Sequence, residues 1–465
     1  KIRMEDTIAA IATAISPSGI GIVRVSGPEA VRIVSSIYRS KNRKKSLEQV
    51  KSHTIHYGYV MDGDQEVDEV LVMVMRAPHS YTGEDTVEID CHGGVLAVKR
   101  VLEQVIYAGA RLAEPGEFTK RAFLNGKMDL SQAEAVMDMI QAKNEYALKS
   151  SMSQLRGSVH RAIEEIREKI LYEIAFIESA LDDPEHISID GYGEKLNVIV
   201  DEVLEKTERL LKTSGDGKMI QEGIRTVIVG KPNAGKSSLL NLLLGEERAI
   251  VTDIAGTTRD TLEETVMLQG ISLRMVDTAG IRDTSDLVEK IGVDKARASV
   301  AEADLVFYVV DSSVPLDEND DKITELLKKK KAIVLLNKTD LCPAVTEKMM
   351  EERMRQSGMD HRVLSISARE ERGLDRLEKM IRDLFFEGDL TFNDQVYITN
   401  VRHKKELEEA RRSLCLVKQS IEMDMPEDFF SIDLMNAYEA LGRIIGASGG
   451  EDLVNEIFSK FCTGK

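Results

Sequence analysis

The chain has little of what a secreted or membrane-bound protein needs. Its cysteines number four in 465 residues (Cys91, Cys342, Cys415 and Cys462), and none shares a paired spacing with another. That excludes a disulfide framework and a zinc-ligand pattern, and it predicts free thiols in a reducing compartment. No run of about 18 apolar residues and no charged-then-apolar leader occurs, so a soluble, cytoplasmic protein without membrane association is expected. Positive charge is also in short supply. Lys and Arg total 62 against 80 Asp and Glu, a formal net charge of −18. No global basic field draws such a chain onto nucleic acid, so any RNA must be held by a local patch or through a partner.

What is present is pattern. The length suits about three domains at roughly 150 residues each. Residues 4–124 mix short strands with helices. Gly21 to Gly27, Asp68 to Arg76 and Asp85 to Cys91 read as strands, Pro28 to Ile37 and the stretch from Gly94 through Val105 as helices, and together they predict an α+β domain. Gly19-Ile-Gly-Ile-Val-Arg breaks G-x-G-x-x-G at its last position, so no dinucleotide fingerprint is expected. Cys91-His92 reads as a turn. Over 125–222 the apolar spacing turns helical, with one stripe from Leu148 to Leu181 ended by Asp182-Asp183-Pro184, and a second from Leu196 to Leu211. Gly215-Asp-Gly reads as a linker. Residues 385–465 are again mostly helical and are the expected partners of those stripes. This makes the all-α domain discontinuous, with residues 223–384 inserted between its halves.

That insert alternates strands and helices. The strand candidates are Thr226–Val229, Leu273–Val276, Leu305–Val310, Ala332–Leu336 and Val363–Ile366, which predict a doubly wound, mostly parallel sheet of the Ras-like α/β kind. Its first strand runs into Gly230-Lys-Pro-Asn-Ala-Gly-Lys-Ser-Ser, a match to G-x-x-x-x-G-K-[ST] with a helical Leu-rich run behind it. Backbone N–H groups of Asn233, Ala234, Gly235, Lys236, Ser237 and Ser238 would hold a polyphosphate. Lys236 would neutralise its β/γ-phosphates and the Ser237 hydroxyl would ligate Mg²⁺.

Four further elements follow in the order a GTPase requires. Thr252, Asp253, Ile254, Ala255, Gly256, Thr257 and Thr258 lead into a switch loop whose Thr258 would close over Mg²⁺. Asp277, Thr278, Ala279 and Gly280 place a carboxylate near the metal and an N–H toward the γ-phosphate. Asn337, Lys338 and Asp340 belong to Asn-Lys-Thr-Asp, in which Asp340 accepts from the ring N–H and amino group of guanine. Adenine lacks that donor pair. Ser367, Ala368 and Arg369 supply backbone donors to the guanine O6. The residue after Gly280 is Ile281, where a Ras-like protein carries its water-orienting Gln, so another group must align the water. The Asn233 amide suits either a monovalent-cation ligand, helped by carbonyls near Thr252 and Ile254, or a plain turn residue. Its residue type leaves both open.

The motifs together resemble the MnmE (TrmE) family of tRNA-modification GTPases across essentially the whole chain. They are the phosphate loop, Asp253-Ile-Ala-Gly-Thr-Thr-Arg-Asp, Asp277-Thr-Ala-Gly-Ile-Arg, Asp6-Thr-Ile, Tyr81-Thr-Gly-Glu-Asp, Cys91-His-Gly-Gly, Arg111-Leu-Ala-Glu-Pro-Gly-Glu-Phe, Asp129-Leu-Ser-Gln-Ala-Glu-Ala and Phe461-Cys-Thr-Gly-Lys. The resemblance implies a potassium-activated GTPase whose G domains pair across the nucleotide. Asn233, Thr252, Ile254 and Thr257 correspond to K⁺ ligands, and Ser237 and Thr258 to Mg²⁺ ligands. It also places the family's water-orienting glutamate on Glu289, acting through a second water. The N-terminal domain looks like a folate-binding module that forms a homodimer. Arg24, Glu88, Lys127 and Lys465 would hold a 5-formyl- or methylene-tetrahydrofolate, with Cys462 near its one-carbon group. The implied activity, with an FAD-dependent MnmG (GidA)-type partner, is addition of an aminomethyl or carboxymethylaminomethyl group to the wobble uridine of certain tRNAs. The alternative is a regulatory switch GTPase without folate chemistry.

Overall fold

A computed structural model describes residues 6–41, 46–183, 185–186, 188, 191–245, 264–268, 271–276, 299–328, 330–356, 362–385, 396–448, 450–461 and 464. The chain divides into two compact units. The first comprises residues 1–140, 152–207 and 405–465, and the second 141–151 and 208–404.

The first unit opens on a seven-stranded sheet. Its strands are β1 Ile8–Ile11, β2 Ile20–Ser26, β3 Tyr38–Ser40, β4 Thr54–Asp62, β5 Gln65–Met75, β6 Thr86–His92 and β7 Arg111–Leu112, in the order β3-β4-β5-β6-β2-β1-β7. Every pairing is antiparallel except that of β1 with β7. Alternation sets the two faces. Val23 and Val25 of β2 join Val87 and Ile89 of β6 in a core with Val31 and Val34 of α1 (Ala30–Ile37) and Val98, Val101 and Val105 of α2 (Val95–Tyr107). Arg24, Glu88 and Asp90 occupy the intervening positions and so share the other face. Cys91 and His92 end β6; they are not the turn that their Gly-Gly neighbours suggest.

Helices α3 (Glu117–Leu124), α4 (Leu130–Gln141), α5 (Glu145–Leu155), α6 (Ser158–Asp182) and α7 (Tyr192–Glu222) follow. The long stripe expected from Leu148 to Leu181 is two helices, broken where Gly157 takes φ 82°. Gly215-Asp-Gly is not a linker, because α7 runs straight through it. A Cβ on Gly217 would stand 2.3 Å from the carbonyl of Ile398, so the bare position is what admits that close approach. Farther on lie α12 (Val401–Glu422), α13 (Glu427–Ile445) and α14 (Glu451–Ser459). Within the first unit α6 packs along α13, and Lys418 of α12 pairs with Asp201 of α7 at 2.5 Å. The all-α domain is therefore assembled from two separated stretches of chain.

The second unit is built on a six-stranded sheet, β8 Ile224–Val229, β9 Glu264–Leu268, β10 Ile271–Met275, β11 Leu305–Asp311, β12 Ala332–Asn337 and β13 Arg362–Ser365, in the order β13-β12-β11-β8-β10-β9. All pairings are parallel except that of β9 with β10. Sequence reading missed β9. It is an edge strand with only Val266 and Leu268 buried, and so lacks the continuous apolar run of its neighbours. Helices α8 (Lys236–Gly245), α9 (Glu318–Leu327), α10 (Glu347–Gln356) and α11 (Leu374–Phe385) complete the unit. Phe307 and Val309 bury into one core, and Tyr308 and Val310 into another on the opposite face. This is a doubly wound, Ras-like sheet. The strand order reverses between β8 and β11, where a ligand crevice is expected.

Candidate functional site

Beta-strand β8 delivers the chain into the phosphate loop, and α8 begins at Lys236. Its first backbone N–H groups have no partner within the helix and carry its partial positive charge. Lys236 Nζ donates to the carbonyls of Gly230 and Lys231, both at 2.8 Å. Burial holds its pKa below the ordinary lysine value, and a polyphosphate would favour the charged form again. Asn233 is exposed and takes φ 62°, the left-handed conformation that Asn tolerates. Gly235 has φ 97°, and a Cβ there would fall 2.1 Å from Asn337 Nδ2. Ala234 is buried, Ser237 half-buried and Ser238 exposed.

The guanine elements meet this loop. Asn337, buried at the end of β12, donates from Nδ2 to the Ala234 carbonyl and accepts at Oδ1 from the Ala368 N–H, each at 3.0 Å. Ser367 Oγ donates to Asp340 Oδ1 at 2.9 Å, and Thr339 Oγ1 donates to the Ile366 carbonyl at 2.8 Å. Lys338 Nζ reaches Asp311 Oδ2 at 2.6 Å. Burial alone would raise the Asp311 pKa, but Lys338 and Ser313 outweigh it and hold the carboxyl below its ordinary value. Arg369 is exposed beyond this network. Hydrogen bonds thus join the loops that carry Asn233, Ala234, Gly235, Lys236 and Ser237, Asn337, Lys338 and Asp340, and Ser367 and Ala368. Thr252, Asp253, Ile254, Ala255, Gly256, Thr257, Thr258, Asp277, Thr278, Ala279, Gly280 and Glu289 lie outside the described residues.

A second constellation sits in the first unit. Arg24 and Glu88 face each other in register across β2 and β6, and Arg24 Nε donates to Glu88 Oε1 at 2.8 Å. The guanidinium lies 5.3 Å from the Tyr81 ring centroid and 5.7 Å from that of Phe118. Its Nη1 donates to the Gly464 carbonyl at 3.1 Å, which brings Gly464 to this face. Asp90, beside Glu88 on the same face, keeps a buried Oδ1 without a hydrogen-bond partner among the described residues. Burial, with Glu88 nearby, pushes its pKa up. Lys127 is exposed and donates to the Pro78 carbonyl at 3.2 Å, at the far end of the loop that carries Tyr81. Cys462 and Lys465 lie outside the described residues.

Sequence reading missed Arg121, on which three of the quoted motifs converge. Fully buried, it donates to Asp6 Oδ1 at 2.8 Å, to Glu84 at 3.3 Å and to Glu117 Oε1 at 3.1 Å. The available signal was a cation on the apolar side of α3 with an acid one turn earlier. Lys231 and the Asp317/Asp320 cap of α9 were missed too. For those acids the Asp-x-x-Asp spacing before a helix was the readable sign.

Comparison with known proteins gives the family. The family model described as MnmE helical domain matches residues 130–462, and the one described as GTP-binding protein TrmE N-terminus matches residues 7–127. The chain belongs to the MnmE family. It is 58% identical over 460 residues to the tRNA modification GTPase MnmE of Lachnoclostridium phytofermentans, covering 99% of each chain. To the Bacillus subtilis MnmE it is 47% identical over 463 residues, covering 99% of this chain and 100% of that one. The G domain of the T. maritima FeoB iron transporter matches at 25% identity and a TM-score of 0.25, covering 35% of this chain and 98% of that one. As an MnmE-family protein the chain is an enzyme, a tRNA modification GTPase. No described helix is long and apolar enough to cross a membrane.

Proposed function

We propose that this chain couples potassium-activated GTP hydrolysis to modification of the wobble uridine of tRNA. In this reading it acts as a homodimer with an FAD-bearing MnmG-type partner, and a one-carbon tetrahydrofolate supplies the carbon that is added. The observation that carries the hydrolysis is the Asn337 bridge, because it fixes the phosphate loop and the guanine loops as one binding surface. Ser237 with Thr258 would hold Mg²⁺; Asn233, Thr252, Ile254 and Thr257 would hold K⁺. The exposed, left-handed Asn233 fits a ligand that offers its amide oxygen to a cation, and that cation would supply the positive charge that an arginine finger gives other GTPases. Glu289 would orient the water through a second one.

On the N-terminal sheet Arg24, Glu88, Lys127 and Lys465 would hold the folate. The fit rests on chemistry present there. A carboxylate can pair with an amino-pyrimidine edge, cations with a glutamyl tail, and the buried Asp90 Oδ1, which has no hydrogen-bond partner among the described residues, suits a donor. Cys462 would stand near the one-carbon group.

The deciding experiment is nucleoside analysis of tRNA incubated with this protein, the partner, GTP and folate, each omitted in turn. Modification only in the full mixture is expected, and modification without folate or without GTP would refute the reading. For the cation, replacing potassium by sodium should suppress turnover and G-domain pairing, and equal rates in both salts would remove Asn233 from that role.

A further inference from the structure

We propose that Lys231 is a positioning residue for GTP hydrolysis, holding the phosphate loop by anchoring it to the N-terminal cap of α9. Its ammonium donates to Asp320 Oδ2 at 2.7 Å and to Asp317 Oδ2 at 3.1 Å. Those acids form a reciprocal capping box. Asp317 Oδ1 accepts from the N–H groups of Asn319 at 2.8 Å and Asp320 at 3.3 Å, while Asp320 Oδ2 accepts from the Asp317 N–H at 2.8 Å. Asp320 is only 1% exposed, and its other oxygen accepts from Tyr308 Oη at 2.6 Å, a fully buried group on β11. The cap is therefore fixed to the sheet, and Lys231 is fixed to the cap.

The backbone of Lys231 does the second half of the work. Its carbonyl accepts from Lys236 Nζ at 2.8 Å and from the Ala234 N–H at 3.3 Å. One residue thus joins a rigid part of the sheet, through its side chain, to the lysine that meets the phosphates, through its carbonyl. Asn337 clamps the loop separately at Ala234. A loop tethered at two points keeps its donors in place when a nucleotide arrives, and small displacements of such donors are costly in rate. Burial alone would lower the Lys231 pKa, but Asp320 and Asp317 outweigh it and keep the ammonium charged, so the tether persists at neutral pH.

This inference rests on GTP hydrolysis and not on the potassium or folate readings. The test compares steady-state GTP turnover and nucleotide affinity of the full chain with those of Lys231→Met, Lys231→Arg and Asp317→Asn, in one potassium buffer. Lys231→Met should lower kcat by about 10-fold while GTP affinity moves by less than about threefold, and Lys231→Arg should recover kcat to within about twofold. Asp317→Asn keeps a good N-cap residue, so it should fold normally and lower kcat by about threefold. A Lys231→Met kcat within about twofold of the unaltered chain would overturn the proposal. So would a loss that tracks only the folded fraction seen by circular dichroism, or an Arg variant no faster than the Met variant. Absent turnover in the unaltered chain would overturn GTP hydrolysis itself, whereas turnover in that chain matched by Lys231→Met would overturn only the tether, so the two failures are distinct.

Discussion

Asn337 and Ala234, 103 residues apart in sequence, meet at 3.0 Å, with the Asn337 side chain donating to the Ala234 carbonyl while it accepts from Ala368. The side chain is buried, so its removal leaves the Ala234 carbonyl and the Ala368 N–H each without this hydrogen bond. Asn337→Ala is expected to weaken GTP binding by about 10- to 100-fold, the equivalent of one to two such bonds lost. Titration with a fluorescent GTP analogue measures this, and an affinity within a factor of about two of the unaltered chain would contradict it.

Asp340 is held by Ser367 at 2.9 Å, and in the proposed site its carboxylate would accept from both guanine donors. Asp340→Asn replaces one acceptor by a donor, which opposes the guanine amino group and matches the carbonyl that xanthine carries at that carbon. GTP affinity should fall by about 100-fold or more while XTP affinity rises. Parallel titrations with the two nucleotides check the crossing, and unchanged preference for GTP would place the base elsewhere.

Arg121 stands at the centre of Asp6, Glu84 and Glu117. Arg121→Met leaves those carboxylates facing one another and should cost about 3–5 kcal/mol at pH 7. The pH dependence follows from the acids. Burial alone would raise Asp6 and Glu117, but Arg111 and Arg121 outweigh it and hold both below their ordinary values. Their contribution is therefore full above about pH 4 and fades as pH falls through the depressed values. Denaturant unfolding should show the gap between variant and unaltered chain narrowing below about pH 4. A gap constant with pH would argue for a packing effect alone.

His92 Nδ1 lies 2.7 Å from Asp68 Oδ1, and that hydrogen bond raises its pKa above the ordinary value. The sign is opposite to the acid case: the interaction stabilises the fold below the unfolded value and is lost as pH rises through the folded one. The ring-proton NMR titration of His92 should have its midpoint above about 6.5, and Asp68→Asn should return it toward that figure. An identical midpoint in both proteins would detach the histidine from Asp68.

At Gly217 two effects compete. Alanine is the better helix former by about 1 kcal/mol, which by itself would stabilise α7. A Cβ there, however, would lie 2.3 Å from the Ile398 carbonyl, a backbone atom that cannot swing aside. Gly217→Ala should therefore destabilise the second unit by more than 1 kcal/mol net, read by denaturant unfolding. A stabilised variant would mean that the segment at 398 yields freely.

Much of this molecule is legible in its residues taken in order. The phosphate loop, the guanine motif and the parallel strands are local signals, because a helix start, a glycine turn or a strand buried on both faces needs only its own neighbours to declare it. The discontinuous helical domain was readable as well, since apolar stripes without partners must find some. What chain order alone could not decide is which distant groups share one place. Arg24 opposite Glu88, Arg121 amid three motifs, Lys231 on the α9 cap and the seat of Gly217 all depend on pairing and packing between segments far apart. Those contacts arise only after the chain has buried its apolar faces, and a sequence carries no local mark of the partner a buried charge or a bare glycine will meet.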